Sequence, residues 1–464
     1  MSAFITIIVG LIAVGILVYM LIKKNDIKMT LLLLGIILMY IAILLGKSIG
    51  LEESTGAILL DPFQGVVNQF SNTLVGPGFV ILILGGYSTY MNHIKANEVT
   101  VRALTKPISK VKSVYILVPF VFLIGNLLSL VIPSASNLAI ILLATLYPVL
   151  RAAGVSRLSS AAVIATSATI VPTPLGSDNV AIANEFGMSV TEYVFNYHAL
   201  VSIPTLLAIA VVHYFWQKNQ DKKAFETLSY EEEFKGTDNQ NTNTDIYTGF
   251  KGFIYGILPL LPIILLLAVF LFNVVSGSNL NVSVQLVSIL SFIIAVVVEL
   301  INKKSVKNVL QETSHFFSGM GDVMGIVALL VSAQVFVQGL TSIGVIELVQ
   351  QTMENVNGSG VLLPVLMVIF TAIIVLLSGS GMALLFAMIP LMLPLAKAAG
   401  ISPEALSIPM QLSGNLFRAV SPVSAVVLIV AGSINLEPSK IVKRTAIPMI
   451  FGVIMSLILS LLIF

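Results

Sequence analysis

Long apolar runs separated by short polar ones fill most of this chain. Eight of them, Phe4–Ile22, Met29–Leu45, Val75–Met91, Ser113–Ile132, Tyr193–Trp216, Phe253–Phe272, Gln285–Leu300 and Thr445–Phe464, are of the length that carries a helix across a hydrocarbon core of about 30 Å. The runs are continuous rather than alternating, which predicts membrane helices and not the ten-residue strands of a barrel. Two kinds of segment break the pattern. In "GNLLSLVIPSASNLAIILLATLYPVLRAAG", 125–154, Pro133 stands beside Ser134, Ser136 and Asn137, and what remains before Arg151 is too short to span. A re-entrant hairpin over 114–151 fits, turning near Pro133–Asn137. "LLSGSGMALLFAMIPLMLPLAKAAG" predicts a second hairpin over 359–397, with its tip at Ser378–Gly381.

The other breaks are "ATSATIVPTPLGSDNVAIA", where Pro172, Pro174 and Gly176 through Asn179 interrupt a helix over 157–186, and "QLSGNLFRAVSPVSAVVLIVAG", interrupted around Gly414–Ser424 within 402–432. Non-helical backbone at membrane depth survives only in a cavity wall or packed in protein. Four broken elements therefore meet near the midplane, where half-helix N-termini turn their partial positive charge to one place.

A short phrase occurs twice. "YPVLRAAGVS" starts at Tyr147 and "LPLAKAAGIS" at Leu393, 246 residues on, with five of ten positions identical. Superposing the halves on it aligns hairpin with hairpin and break with break. Charge then sets their relative direction. Six clusters, at 23–28, 95–112, 151–157, 218–251, 303–307 and 440–444, hold 21 of the 24 Lys and Arg, while the loops between are acidic or uncharged. Basic loops face the cytoplasm, so both termini lie outside. Aligned loops carry opposite bias: Lys95–Lys112 is basic where Ser342–Gly358 is acidic, and Leu51–Asn72 is acidic where Asn302–Met320 is basic. This is the pattern of an inverted-topology repeat. The predicted fold is an all-α polytopic membrane protein with halves 1–216 and 251–464, each of about five spans plus a hairpin. The polar stretch 217–250 is expected to be a flexible cytoplasmic linker.

Composition narrows the function. The chain of 464 residues is 57% hydrophobic and 10% charged, against the roughly one quarter charged of a soluble protein. It has no cysteine, which removes thiolate metal sites and Cys nucleophiles. Its four histidines lie at or near span ends without metal-ligand spacing, and no HExxH or phosphate-cradling glycine motif occurs. No enzyme, no cofactor and no nucleic-acid partner is expected; the partners are the lipid bilayer and a small solute. Tyr214 and Trp216 read as an interfacial belt.

Arg418 is the one Lys or Arg placed inside an apolar segment. An intramembrane arginine is costly and usually functional, and its planar fork suits a carboxylate. Two roles stay open, cargo contact or pairing with Asp178. Asp178 in turn could take a coupling proton, ligate sodium or balance Arg418. Candidate cargo ligands are Ser134, Ser136, Asn137, Thr173, Ser177, Asn179, Ser378, Ser380, Asn415, Arg418 and Ser421. A sodium ion would have Ser136, Asn137, Asp178 and Ser380 as candidate ligands; no firmer metal site is readable.

The stretch 125–166, with "PSAS" and the helix after it, and the "HYFW" of His213–Trp216 resemble the DcuC-type anaerobic C4-dicarboxylate carrier family. The resemblance covers most of both membrane halves and not the linker. The resemblance implies secondary transport of succinate, fumarate or malate across a bacterial inner membrane by a homodimer with a scaffold and an elevator-like moving unit. The readings that remain beside it are a carrier of another carboxylate (a tricarboxylate, an amino acid or a short peptide) and an anion channel.

Overall fold

The computed structural model describes residues 2–51, 54–105, 114–132, 134–227, 247, 249–278, 280, 282–303, 305–354 and 359–464. Pro133 and most of the 217–250 stretch lie outside the described residues. Among those described, every regular element is helical. The first half runs α1 (Ser2–Ile22), α2 (Ile27–Leu44), α3 (Asp61–Thr73), α4 (Phe79–His93), α5 (Ala96–Thr105), α6 (Leu117–Ser129), α7 (Ala135–Thr145), α8 (Tyr147–Ala152), α9 (Arg157–Ala165), α10 (Ser177–Glu185), α11 (Val190–Glu192) and α12 (Ala199–Thr227). The second runs α13 (Gly249–Ile257), α14 (Leu261–Ser276), α15 (Val284–Lys303), α16 (Val306–Glu312), α17 (Ser314–Ile343), α18 (Val345–Glu354), α19 (Ser359–Ser378), α20 (Gly381–Ala399), α21 (Pro403–Arg418), α22 (Ala425–Ser433) and α23 (Pro438–Ile463). Among the described residues nine helical stretches are long and apolar enough to cross a membrane. With this composition, that makes the chain a multi-pass membrane protein.

The repeated phrase is a piece of backbone punctuation used twice. Gly154 and Gly400 both adopt left-handed backbone, φ 92° and 68°. In each case the glycine N–H returns to the carbonyl three residues back, Arg151 at 3.0 Å and Lys397 at 3.2 Å. The next N–H returns five back, Val155 to Leu150 at 3.0 Å and Ile401 to Ala396 at 3.1 Å. This pair of hydrogen bonds closes a helix C-terminus, and only a residue without Cβ freely adopts the left-handed backbone it needs. Two residues on, Ser156 and Ser402 each accept the N–H three positions ahead and start the next helix, α9 and α21. "AAGVS" and "AAGIS" thus end one helix and begin another.

Packing repeats in the same sense. α2 lies along α17, and its counterpart α15 lies along α4; α5 packs on α13, and α18 on α1. The second arm of each hairpin meets the resumed helix of the other half, α7 on α22 and α10 on α20, while α12 and α23 run together at the seam. The halves are therefore interleaved rather than placed side by side.

The breaks fall where backbone chemistry requires, with three shifts from the sequence expectation. The first non-helical stretch is 166–176, and Ser177, Asp178 and Asn179 already form the opening turn of α10 behind Gly176. The second is shorter than expected, 419–424: Gly414 and Asn415 stay helical, and Arg418 is the last residue of α21. A lone glycine costs a helix only about 1 kcal/mol, and a basic residue suits the helix C-terminus. The third shift corrects the linker. α12 continues to Thr227, and Gln217 and Asp221 on it are buried, so the linker's first residues belong to the folded membrane unit.

A buried amide holds the first break open. Asn126 of α6 accepts the backbone N–H of Thr169 and of Ile170, each at 3.0 Å, and donates to the carbonyls of Phe122 at 2.9 Å and Thr166 at 3.3 Å. Asn126→Leu strands two buried N–H groups at about 1–3 kcal/mol each. We expect the variant to melt well below the wild type in detergent. A melting temperature unchanged from wild type would show that the loop finds other partners.

Candidate functional site

Four helices begin at one place. Ser134 caps α7, its Oγ accepting the Asn137 N–H at 3.3 Å, and Ser380 caps α20 through the Ala383 N–H at 3.5 Å. α22 starts behind Ser424 and α10 behind Gly176. The crossed packing of hairpins and resumed helices brings all four N-termini to the wall of one cavity of about 550 Å³. Each contributes the equivalent of roughly +0.5 charge. Together with the Arg418 guanidinium they give a positive centre on the scale of a dianion. Across the cavity stand Ser88, Thr89 and Asn92 of α4 and Asp322 of α17.

Of the residues read from sequence, Ser134, Ser136, Asn137, Ser177, Ser380 and Arg418 line this cavity. The others support it from behind. Thr173 donates to the Leu130 carbonyl at 3.2 Å and so ties the break to the first hairpin tip. Asn179 donates to the carbonyls of Val171 and Thr173 at 3.1 and 2.8 Å, folding the 166–176 loop back on α10. Ser378 Oγ accepts the Ser380 N–H at 3.2 Å, and Ser421 donates to the Leu376 carbonyl at 3.0 Å. Asn415 is buried on α21.

Arg418 and Asp178 are both near the centre and are not bonded to each other. The Arg418 Nη2–H donates to the Ala168 carbonyl in the first break at 2.6 Å, while Asp178 Oδ2 accepts from Gln411 Nε2 at 2.8 Å. The same Gln411 nitrogen donates to Asn179 Oδ1 at 2.7 Å, and its oxygen accepts from Tyr193 at 3.0 Å. One guanidinium N–H thus anchors the arginine to the opposite half, and the rest of the group borders the cavity. The hairpin tip is tight as well: a Cβ on Gly381 would lie 2.2 Å from the Gly414 carbonyl oxygen, so the tip rests directly on α21.

The far wall was not read from sequence. Gly85, Ser88, Thr89 and Asn92 fall at i, i+3, i+4 and i+7 of α4, a small-and-polar stripe with helical period inside an otherwise apolar span. That periodicity was the available signal.

The family description for the C4-dicarboxylate anaerobic carrier matches residues 1–464, the whole chain. The chain belongs to the C4-dicarboxylate anaerobic carrier family. It is 34% identical over 456 residues to a probable anaerobic C4-dicarboxylate transporter of Vibrio cholerae, covering 97% of this chain and 96% of that one. With the Escherichia coli K12 anaerobic C4-dicarboxylate transporter it shares 32% over 461 residues, covering 99% and 96%. Two solved transporters have a similar fold. The Alcanivorax borkumensis YdaH transporter superposes with a TM-score of 0.67 at 16% identity, covering 94% of this chain and 98% of its own. Neisseria gonorrhoeae MtrF does so with 0.63 at 17% identity, covering 94% of each. Family membership makes this chain a membrane transporter rather than an enzyme.

Proposed function

We propose that the protein is a secondary active carrier of C4-dicarboxylates such as succinate, fumarate and malate, working by alternating access. The observation that carries this reading is the convergence of four helix N-termini and Arg418 on one cavity. A dicarboxylate there meets backbone N–H groups and capping hydroxyls at its two ends, with Arg418 as the fixed cation. The family name and those of its curated relatives point to the same cargo.

In this reading the hairpins α6–α8 and α19–α20 and the broken helices α9–α10 and α21–α22 form a moving unit. α2, α4, α15 and α17 form the scaffold, and the unit slides as an elevator. The crossed packing and opposed loop charges support an inverted repeat made of 1–216 and 251–464 with both termini outside the bacterial inner membrane; the pairing of two chains in each carrier is carried over from the family resemblance alone. The cavity lining on α4 reaches Asn92, three residues before basic Lys95, and this reading takes that end as the cytoplasmic one. Asp178, buried at the first turn of α10 and held by Gln411, is the group we assign to coupling by sodium or a proton.

Radiolabelled succinate uptake into proteoliposomes tests the reading. Internal unlabelled fumarate should accelerate uptake several-fold, and one of a sodium or pH gradient should add to it. Uptake that is fast but indifferent to internal fumarate would indicate a channel. Uptake of citrate or an amino acid in place of succinate would move the cargo to another carboxylate.

A further inference from the structure

The stripe on α4 has a counterpart on α17. Both helices close on a left-handed residue, Lys95 at φ 60° and Gly344 at φ 87°, whose N–H returns to the carbonyl three back, Asn92 at 3.1 Å and Thr341 at 2.9 Å. Superposing those two ends lays Gly85, Ser88, Thr89 and Asn92 on Gln334, Val337, Gln338 and Thr341. The first set lines the cargo cavity. The second lines a separate cavity of about 450 Å³ near the other end of the scaffold. Equivalent positions of two equivalent helices thus each form a polar wall, and only one of them faces the hairpin tips.

The second wall is occupied by the protein's own carboxylate. Glu185, the last residue of α10, approaches Gln334 Nε2 with its Oε2 at 3.5 Å. Gln338 beside it is oriented by two bonds: its oxygen accepts from Gln69 Nε2 at 3.2 Å, and its Nε2 donates to the Ile49 carbonyl at 3.0 Å. Pro390 of α20 completes the closure from the same side as Glu185. Among the described residues the cavity lining offers the amides of Gln69, Gln334 and Gln338, the Thr341 hydroxyl, which in this state donates to the Val337 carbonyl at 2.9 Å, a second carboxylate from Glu347, and no cation. Amides without a fixed cation can accept a carboxylate and release it.

We infer that Gln334, Gln338 and Thr341 are the scaffold half of the cargo site when the moving unit stands at its outer position. There they donate to a dicarboxylate as Thr89 and Asn92 do at the inner one. Glu185 fills the Gln334 amide in the present state and withdraws when the unit moves. This rests on the alternating-access reading above.

The chain has no cysteine, so single-cysteine variants report without background. Gln338→Cys and Thr341→Cys, in oriented proteoliposomes, would be treated from outside with a membrane-impermeant methanethiosulfonate. External succinate should slow modification at both positions by about fivefold or more relative to acetate at equal ionic strength, a change of about 1 kcal/mol in local occupancy. Thr89→Cys should be protected by succinate from the inner side only. Two variants are used because loss of transport in one leaves the other to decide. Modification at 338 and 341 that ignores succinate, in protein that still shows counterflow, overturns the assignment. Absence of counterflow in the wild type overturns the carrier reading itself, and this assignment with it.

Discussion

Replacing Arg418 by alanine is expected to abolish succinate counterflow while leaving a folded protein. Lysine in its place is expected to raise the half-saturation concentration about 10- to 150-fold, the equivalent of losing charge-assisted bonds of about 1.5–3 kcal/mol. Two features argue for an effect larger than that of any single hydroxyl at the site. Among the described residues Arg418 is the only formal positive charge on the cavity wall, and a planar guanidinium that already gives one N–H to Ala168 still offers several fixed donors, where an ammonium offers a point charge. The alternative role, a pair with Asp178, makes a different forecast: exchanging the two charges in Arg418→Asp/Asp178→Arg would restore transport. We expect that double variant to be inactive, because each side chain has a partner of its own, Ala168 for the arginine and Gln411 for the aspartate. Lysine at 418 with wild-type half-saturation would sink bidentate recognition at this position.

The sequence made Arg418 visible because it contradicts its surroundings; a cation in an apolar run has few bland explanations. The tip serines were visible for a related reason. Ser134 follows a proline and Ser380 a glycine in the sequence, and a serine there is a cap before it is anything else. What stayed hidden were residues whose surroundings already explained them. Asn126 is one amide in an apolar helix, and nothing local says that its partners lie 40 residues on, across the hairpin. Thr89 and Asn92 lie at the end of the Val75–Met91 run, and only the fold brings them to the cavity that the hairpin tips line. Asp221 followed a polar run and looked like linker, although helical continuity carries it back into the protein. Break positions were legible to within a few residues, since proline and glycine set them. Their exact ends depended on caps such as Gly176 and on tertiary support from Asn126.

The same argument identifies the largest expected stability effect, at Arg444. Its Nη1–H donates to Asp221 Oδ1 at 2.7 Å with both side chains almost fully buried. The same oxygen also accepts from Ser156 at 2.7 Å and Ser159 at 2.9 Å. Ser156 is the residue that caps α9, so this ion pair ties the start of the first broken helix to the α12–α23 seam. From there Gln217 donates to the Arg444 carbonyl at 2.9 Å and lies 3.4 Å from His213, whose other ring nitrogen is 3.3 Å from Thr166 at the edge of the break. Removing one partner leaves an uncompensated buried charge, at about 3–5 kcal/mol, whereas removing both can be close to neutral. Arg444→Met and Asp221→Leu should therefore each lower the melting temperature sharply and weaken transport, through displacement of the 166–176 loop. Arg444→Met/Asp221→Leu should recover most of the stability. If both single variants melt with the wild type, water reaches the pair, and the seam does not set the geometry of the break.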